Sequence, residues 1–336
     1  MELKELQERI RDIRKNSRRE KKKGLVAVWK EKDRFNKEIV DSFVIIFRTK
    51  GCRWAYHSGC SMCGYFNDTN PKIREEDLLA QIEEARKKYG GEKLIKVFTS
   101  GSFLDDWEVP KNVREKLYDT FSSAKRIIVE SRPEYINQEK IEELSSRQNV
   151  MVALGLESAN NETLIYRINK GFTVEDYVRG AELLLRNDIP VKTYILLKPP
   201  FMTERKAINE AIYSVKFASK YSEVVSVNPM NIQNHTLVEY LWRRGEYRAP
   251  WLWSVVEVLK RTVEVGAEVV SYPTAGGTKR GAHNCGRCDK KVMKSILNFS
   301  LTQDEKYLNE LECSCKKRWI KIVENEDYVW DYTVNS

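Results

Sequence analysis

The chain has 336 residues, 41% hydrophobic and 32% charged, with a net charge of +9. This reads as a soluble globular protein, long enough for one large domain and a small addition. It excludes a membrane-spanning one, because no apolar run approaches the roughly 18 residues a span needs. Met1-Glu-Leu-Lys-Glu-Leu is charged and has no signal-peptide core. The seven cysteines fall in close groups, so we expect metal ligands in a reducing cytoplasm rather than disulfides.

Basic residues come first. Arg9, Arg11, Arg14, Lys15, Arg18, Arg19, Lys21, Lys22 and Lys23 crowd one segment, partly offset by Glu2, Glu5, Glu8, Asp12 and Glu20. Further groups are Lys279, Arg280, Arg287, Lys290, Lys291 and Lys294, and Lys316 to Arg318. A solvated helix face would explain the first group alone, but three groups in so basic a chain point to a polyphosphate partner, a nucleic acid.

Asp41-Ser-Phe-Val-Ile-Ile-Phe-Arg48 reads as a buried strand. The loop leaving it carries Cys52, Cys60 and Cys63, spaced Cys-x7-Cys-x2-Cys. Three thiolates can hold three irons of a four-iron, four-sulfur cluster and leave the fourth iron open. A structural zinc loop or three unrelated buried thiols are the alternatives. Gly59, Ser61 and Gly64 suit a loop wrapped tightly around an inorganic core.

Strands and helices then alternate. Helical periodicity covers residues 75–89, 113–121, 138–144, 174–186, 204–220 and 251–265; strands are expected at 94–99, 126–130, 150–155, 191–197 and 224–228. Such alternation gives parallel strands with right-handed crossovers. With the strand before Cys52 the count is six, an α/β fold with an open, partial six-stranded (β/α)6 barrel. The expected division is 1–40 as a basic helical extension, 41–270 as the barrel and 271–336 as a Cys-rich basic module.

The strand ends carry the polar groups of a buried site. Ser100, Gly101 and Ser102 form a small-residue turn where backbone can approach a ligand. Glu130 can accept two ribose hydroxyls, and Arg132 can grip a carboxylate through two parallel bonds. Glu157, Lys198, Asn228, Asn231, Gln233 and His235 follow on the same rim. The second cysteine set, Cys285, Cys288, Cys313 and Cys315, suits a tetrahedral zinc site, with His283 as an alternative to Cys313. Redox pairs or a second iron–sulfur cluster remain open for it.

A three-cysteine loop after the first strand, a small-residue turn after the second and Glu130-Ser-Arg-Pro after the third resemble the radical S-adenosylmethionine enzymes. Within them, Glu130-Ser-Arg-Pro-Glu-Tyr, Leu154-Gly-Leu-Glu-Ser and Arg167-Ile-Asn-Lys-Gly-Phe are similar to the elongator catalytic subunits, over residues 40–235. Two features depart from the superfamily: the first cysteine gap is usually three residues, and Met62 stands where an aromatic residue usually packs on adenine. The chain also lacks the acetyltransferase domain of the elongator subunit.

Ser58-Gly-Cys-Ser-Met-Cys-Gly-Tyr-Phe-Asn-Asp68, the length and the C-terminal cysteines are similar to RaSEA, the radical enzyme family of archaeosine synthesis. The resemblance implies a four-iron cluster on Cys52, Cys60 and Cys63, S-adenosylmethionine as cofactor and tRNA as substrate. It further implies ArcS, the lysine transferase, as partner, and an electron donor. ArcS would join lysine to 7-cyano-7-deazaguanine in the D-loop, and the radical enzyme would cleave the lysine side chain at its terminal C–N bond. By motif position, Ser100, Gly101 and Ser102 would meet the methionine part, Glu130 the ribose and Arg132 the carboxylate, with Glu157 and Met62 completing the cofactor site. Lys198, Asn228, Asn231, Gln233 and His235 would receive the substrate lysine. A methylthiotransferase-like enzyme expects a further N-terminal cysteine set, and the first 40 residues hold no cysteine. A non-enzymatic iron–sulfur protein expects four cluster cysteines and no adenosyl-binding rim.

Overall fold

The computed structural model describes residues 2–17 and 19–334, with side chains to residue 327. In chain order the elements are α1 (Leu3–Lys15), β1 (Ala27–Phe35), β2 (Glu38–Ile46), α2 (Arg53–His57), α3 (Glu75–Arg86), β3 (Leu94–Phe98), α4 (Lys111–Thr120), β4 (Arg126–Ser131), α5 (Gln138–Ser145) and β5 (Val150–Glu157). There follow α6 (Val174–Leu185), β6 (Val191–Leu197), α7 (Glu204–Ala218), β7 (Val224–Pro229), α8 (Leu237–Arg243), α9 (Leu252–Lys260), β8 (Glu268–Val270), α10 (Asp289–Thr302), α11 (Lys306–Asn309) and α12 (Cys315–Val334). The strands form one sheet in sequence order, β1 antiparallel to β2 and the rest parallel.

The six expected strands are β2 to β7, and the six expected helices are α3 to α7 and α9. Several helix starts are set by side chains that satisfy the orphan amides of the first turn. Thr173 and Asp176 form a capping box on α6; Thr203 caps α7, Asn137 caps α5 and Thr236 caps α8.

Two further strands flank the six. Residues 27–35, expected within a helical extension, form β1 instead, turning into β2 through Asn36 and Lys37 at φ 49° and 65°. This turn uses two left-handed residues without a glycine, so it carries little signal in the sequence. Charged side chains alternate along β1 and would look solvated on an isolated helix; here Glu31 and Asp33 turn inward to Lys96 on β3. The short β8 extends the parallel side.

The two sheet edges meet through side chains rather than a ladder. Arg34 on β1 pairs with Glu268 on β8 at 2.9 Å, and the Tyr272 hydroxyl donates to Asp33 at 2.7 Å. Helix α10 lies against β1, β2 and β8. The outward strand faces and the helices build one continuous core, including Phe43, Ile45, Val97, Val152 and Ile195. A second, smaller cluster lines the inside: Val40, Leu94, Ile128, Met151 and Ala153, with Phe35 and Tyr194 against it. The interior is thus apolar in part and charged in part.

Candidate active site and metal centre

The cysteine loop begins where β2 ends and is fastened from three sides. From the N-terminal side comes Arg14 of α1. Its guanidinium donates to the carbonyls of Ala55 at 3.2 Å, Cys60 at 3.2 Å and Cys63 at 3.0 Å. Helix α1 is held in turn by its buried stripe, Leu6 and Ile10, one turn apart. Gly59, at φ 86°, lies directly under that guanidinium, and any Cβ there would overlap it.

From the far side comes the turn after a π-helical segment, Thr163–Ile168. Asn169, left-handed at φ 55°, donates to the Ser58 hydroxyl at 2.6 Å and the Gly59 carbonyl at 2.8 Å, and its carbonyl accepts the Trp54 indole at 2.7 Å. The Ser61 amide and hydroxyl donate to the carbonyls of Ile168 and Arg167 at 2.8 and 2.7 Å. From below, the side-chain oxygen of Gln233 accepts the Gly64 amide. Met62 packs against the main core from its half-buried position.

Gly101 sits beneath Cys52: a Cβ built on it would lie 2.6 Å from the Cys52 Cα. The second fastening there is Glu108. It accepts the Thr49 hydroxyl at 2.5 Å and the Ser102 amide at 2.6 Å, and burial pushes its carboxyl up to about 7. The Ser102 hydroxyl accepts the amide of Arg132 at 3.0 Å, so Ser102 positions the arginine. Ser100 donates to the Tyr65 carbonyl at 3.2 Å.

The electrostatics suit a cationic cluster. All three thiols are free and half-buried. Burial pushes the Cys52 thiol up to about 12 and raises Cys63, and the Cys60 charge raises both further. Cys60 acts on both of the others, and three thiolates on one loop need positive charge among them, which irons supply. Arg132 borders them, its guanidinium 5.1 and 5.9 Å from the ring centres of Phe172 and Trp54. Desolvation works against its charge, but Glu134, Cys52 and Cys60 more than offset that. Lys170 pairs with Glu157 at 2.8 Å and also feels Cys60. The donor set and its surroundings fit the cluster.

Glu130 ends β4 on the inner face. Burial pushes its carboxyl up to about 7, against the pull of Tyr194 and Lys192. Deeper in, Lys96 lies between Glu31 and Asp33, 2.7 Å from Asp33. Lys192 on β6 belongs to the same interior. Desolvation lowers its pKa, with Asp33 opposing and Lys96 reinforcing the shift.

The rim residues expected for substrate do not all converge. Asn228 accepts the Ser226 hydroxyl at 2.9 Å and stays half-buried, as does Asn231. Gln233 is occupied on the cysteine loop. His235, at φ 56°, donates its amide to Glu239 at 2.8 Å. Lys198 is engaged elsewhere: at φ 65° it pairs with buried Glu204 at 2.6 Å. It lines a separate cavity of about 600 Å³ with Tyr247, Arg248, Trp251 and Arg318.

The basic segment near the N-terminus divides. Arg19 donates to Thr69 at 2.9 Å, to the Tyr56 hydroxyl at 2.5 Å and to the Lys50 carbonyl, and lies over the Phe66 ring at 4.3 Å. It braces the cysteine loop, contrary to the expectation of a phosphate-facing side chain; Arg18 lies outside the described residues. Arg280 is tied to Glu239 at 2.6 Å. By contrast Lys279, Arg287, Lys290, Lys291 and Lys294 are exposed, with no ion pair among the described residues.

Arg287, Lys290 and Lys291 are close in sequence to the second cysteine set. The sulfurs of Cys285, Cys288, Cys313 and Cys315 lie within 4.8 Å of one another, at 3.9, 3.8 and 3.6 Å for the adjacent pairs. A tetrahedron with metal–sulfur bonds of about 2.3 Å has sulfur–sulfur edges of about 3.8 Å. The Trp253 indole donates to the Cys315 sulfur at 3.3 Å and the Asn284 amide to that of Cys288 at 3.4 Å, the outer-shell bonds of a thiolate site. His283 is not in the group; its Nδ1 is 2.9 Å from the Gly281 carbonyl. The four-sulfur alternative is therefore the one the fold assembles.

Sequence reasoning missed Arg14, Glu108, Lys170 and Lys192 as parts of the site. Only Lys170 carried a signal, being in the Arg167-Ile-Asn-Lys-Gly string; Lys192 looked like one polar residue in an apolar strand. Among the described residues no helix is long and apolar enough to cross a membrane.

Residues 46–210 match the radical SAM superfamily. The archaeosine synthase subunit beta of Methanosarcina acetivorans is 39% identical over 315 residues, 90% of this chain and 91% of that protein. The protein of the same name from Thermococcus kodakarensis is 37% identical over 321 residues, 91% of this chain and 98% of the other. Among solved structures, methylornithine synthase covers 80% of this chain and 77% of its own at 15% identity, with a TM-score of 0.49. The cysteine loop therefore sits in a chain that belongs to the radical SAM superfamily and, within it, to the archaeosine synthase beta subunits.

Proposed function

We propose that the chain is the radical-forming subunit of archaeosine synthesis. It acts on tRNA in which a lysine has been joined to 7-cyano-7-deazaguanine in the D-loop, and it cleaves the lysine side chain at its terminal C–N bond. The nitrogen stays on the base as the amidine of archaeosine. The observation that carries this reading is the clamped Cys52–Cys60–Cys63 loop beside Arg132 and Glu130, in a chain similar along nine-tenths of its length to proteins called archaeosine synthase subunit beta.

Cys52, Cys60 and Cys63 would hold three irons of the cluster. Bound together, the cluster and S-adenosylmethionine supply a one-electron cleavage of the sulfonium and hence a hydrogen-abstracting carbon radical. Arg132 would take the cofactor carboxylate, Glu130 the ribose, Met62 the adenine, and Ser100 and Gly101 the methionine part. Glu157 completes that set and keeps Lys170 beside the thiols. The apolar ring of Val40, Leu94, Ile128, Met151 and Ala153 excludes water from the floor of the barrel. Asn228, Asn231 and His235 face the incoming nucleoside from the opposite rim.

Cys285, Cys288, Cys313 and Cys315 would hold a structural zinc ion in a C-terminal module. The exposed Arg287, Lys290 and Lys291 beside it would meet tRNA phosphates. The lysine transferase ArcS is the partner this reading requires, with an electron donor, in the cytoplasm where tRNA is modified.

The test is reduced holoenzyme with S-adenosylmethionine and tRNA carrying the lysine adduct, followed by mass spectrometry of the nucleosides. Archaeosine should replace the adduct with one 5′-deoxyadenosine per turnover. An intact adduct, or a change in unmodified tRNA, would overturn the reading.

A further inference from the structure

Lys192 has no task in the site as described so far. It projects from β6 to the inner face, on the same side as Tyr194, and is 7% exposed. In the strand register it is level with Ala153 on β5, which is level with Glu130 on β4. Its cation and the Glu130 carboxyl thus flank the small Ala153 side chain in one row of the interior.

The ammonium has no carboxylate within ion-pair distance and no hydrogen bond among the described residues; it lies over the Tyr194 ring, 5.6 Å from its centre. Of the neighbouring carboxylates, Glu130 stands two strands away, and Asp33 and Glu31 are already satisfied. Asp33 accepts the Arg34 amide at 2.8 Å, Tyr272 at 2.7 Å and Lys96 at 2.7 Å. Glu31 accepts Lys96 and the Trp29 indole, the latter at 2.7 Å. A desolvated lysine without a counter-ion is costly to the fold. In the interior of the sheet, in one row with Glu130, it is a ready site for an anion.

We infer that Lys192 anchors the carboxylate of the amino-acid side chain on the modified base, an inference that rests on the lysine-adduct reading above. The adduct ends in an α-amino acid, whose carboxylate must be desolvated when the side chain is drawn into the barrel. Lys192 supplies the lost solvation through a charge-assisted bond, and the carboxylate does the same for Lys192. Its place two strands from Glu130 sets the far end of the substrate beyond the cofactor ribose, which leaves the terminal carbon near the cofactor. Desolvation lowers the pKa of the free lysine, and a carboxylate bound beside it would raise it again.

The probe is tRNA whose base carries 1,5-diaminopentane in place of lysine, an adduct lacking only the carboxylate. A charge-assisted bond is worth about 1.5–3 kcal/mol, so wild-type enzyme should process this adduct with kcat/KM lower by roughly 10- to 100-fold. Lys192→Met should lose a similar factor on the lysine adduct and little on the decarboxylated one, so that its ratio between them approaches one. Iron content and visible absorption report whether that variant folds. If it does not, Lys192→Gln is read in its place, and a ratio that shrinks supports the anchor. Equal processing of the two adducts by wild type, or undiminished discrimination by the folded variant, overturns the anchor alone. Wild-type enzyme that leaves the lysine adduct untouched removes the substrate reading and the anchor with it.

Discussion

Replacing Arg14 by alanine isolates what the N-terminal helix does for the cysteine loop. The guanidinium holds three carbonyls, those of Ala55, Cys60 and Cys63, at 3.0 to 3.2 Å. A bond to a charged group contributes about 1.5 kcal/mol at the low end, which suits a half-buried arginine. The loss for three such bonds is then about 4.5 kcal/mol, or roughly 2,000-fold in the balance between ordered and open loop. Gly59→Ala attacks the same contact from the other side. Its φ of 86° carries a strain of about 1 kcal/mol for alanine. Its Cβ must also displace the Arg14 guanidinium. With Arg14 present it should therefore cost nearly as much as losing Arg14; with Arg14 absent only the strain should remain. The two substitutions should be coupled by about 3 kcal/mol. The assay is iron per chain and the half-time of cluster loss to a chelator, measured without tRNA so that RNA binding cannot mimic the effect. Arg14→Ala should shorten that half-time at least about tenfold, and the double variant should be little worse. Wild-type retention in Arg14→Ala, or an equal penalty for Gly59→Ala in both backgrounds, refutes the clamp.

Cys60→Ala should abolish visible charge-transfer absorption and all S-adenosylmethionine cleavage; four irons per chain with activity would exclude Cys60 as a ligand. A variant lacking Cys52, Cys60 and Cys63 should still carry one zinc per chain by metal analysis, and His283→Ala should leave that zinc in place, because the histidine is outside the sulfur group. Replacing Lys290 and Lys291 by glutamine should weaken tRNA binding and flatten its salt dependence by roughly one unit per lost phosphate contact, while iron content stays unchanged; an unchanged slope would show a solvated face. Arg19→Gln should act differently, lowering cluster retention with or without tRNA, since its guanidinium is spent on Thr69, Tyr56 and Lys50.

The parallel core was legible because its strands are buried on both faces and read as continuous apolar runs, such as Ile127-Ile-Val129 and Val150-Met-Val-Ala153. Strand β1 was not, because its inward residues are Glu31 and Asp33. The burial of Asp33 depends on Tyr272 and on Lys96, and Lys96 arrives on β3 more than sixty positions later. No local pattern announces such a partner. The three-residue β8 was too short to register as periodic. The cysteines declared their spacing, but what holds them did not: Asn169 is one asparagine among several until the fold gives it a left-handed backbone and two acceptors.

Charge was the feature most open to misreading. A count of lysines and arginines treats every cation as available to an anion in solution. In the folded chain Arg14 and Arg19 are spent on backbone carbonyls, a hydroxyl and aromatic faces around the cysteine loop, Lys96 on two carboxylates, and Arg280 on Glu239. What remains exposed and without an ion pair among the described residues includes Lys21 and Lys22 of the first run as well as Arg287, Lys290 and Lys291 near the four-sulfur site. The +9 of the sequence is therefore not one electrostatic footprint. One share of it fastens the cluster loop and is insensitive to salt because it is buried or paired. Another share stands in solvent, at Lys21 and Lys22 of the first run and at Arg287, Lys290 and Lys291 of the second. A nucleic-acid role rests on that second share, to which both runs contribute, and not on the full count of cations in either.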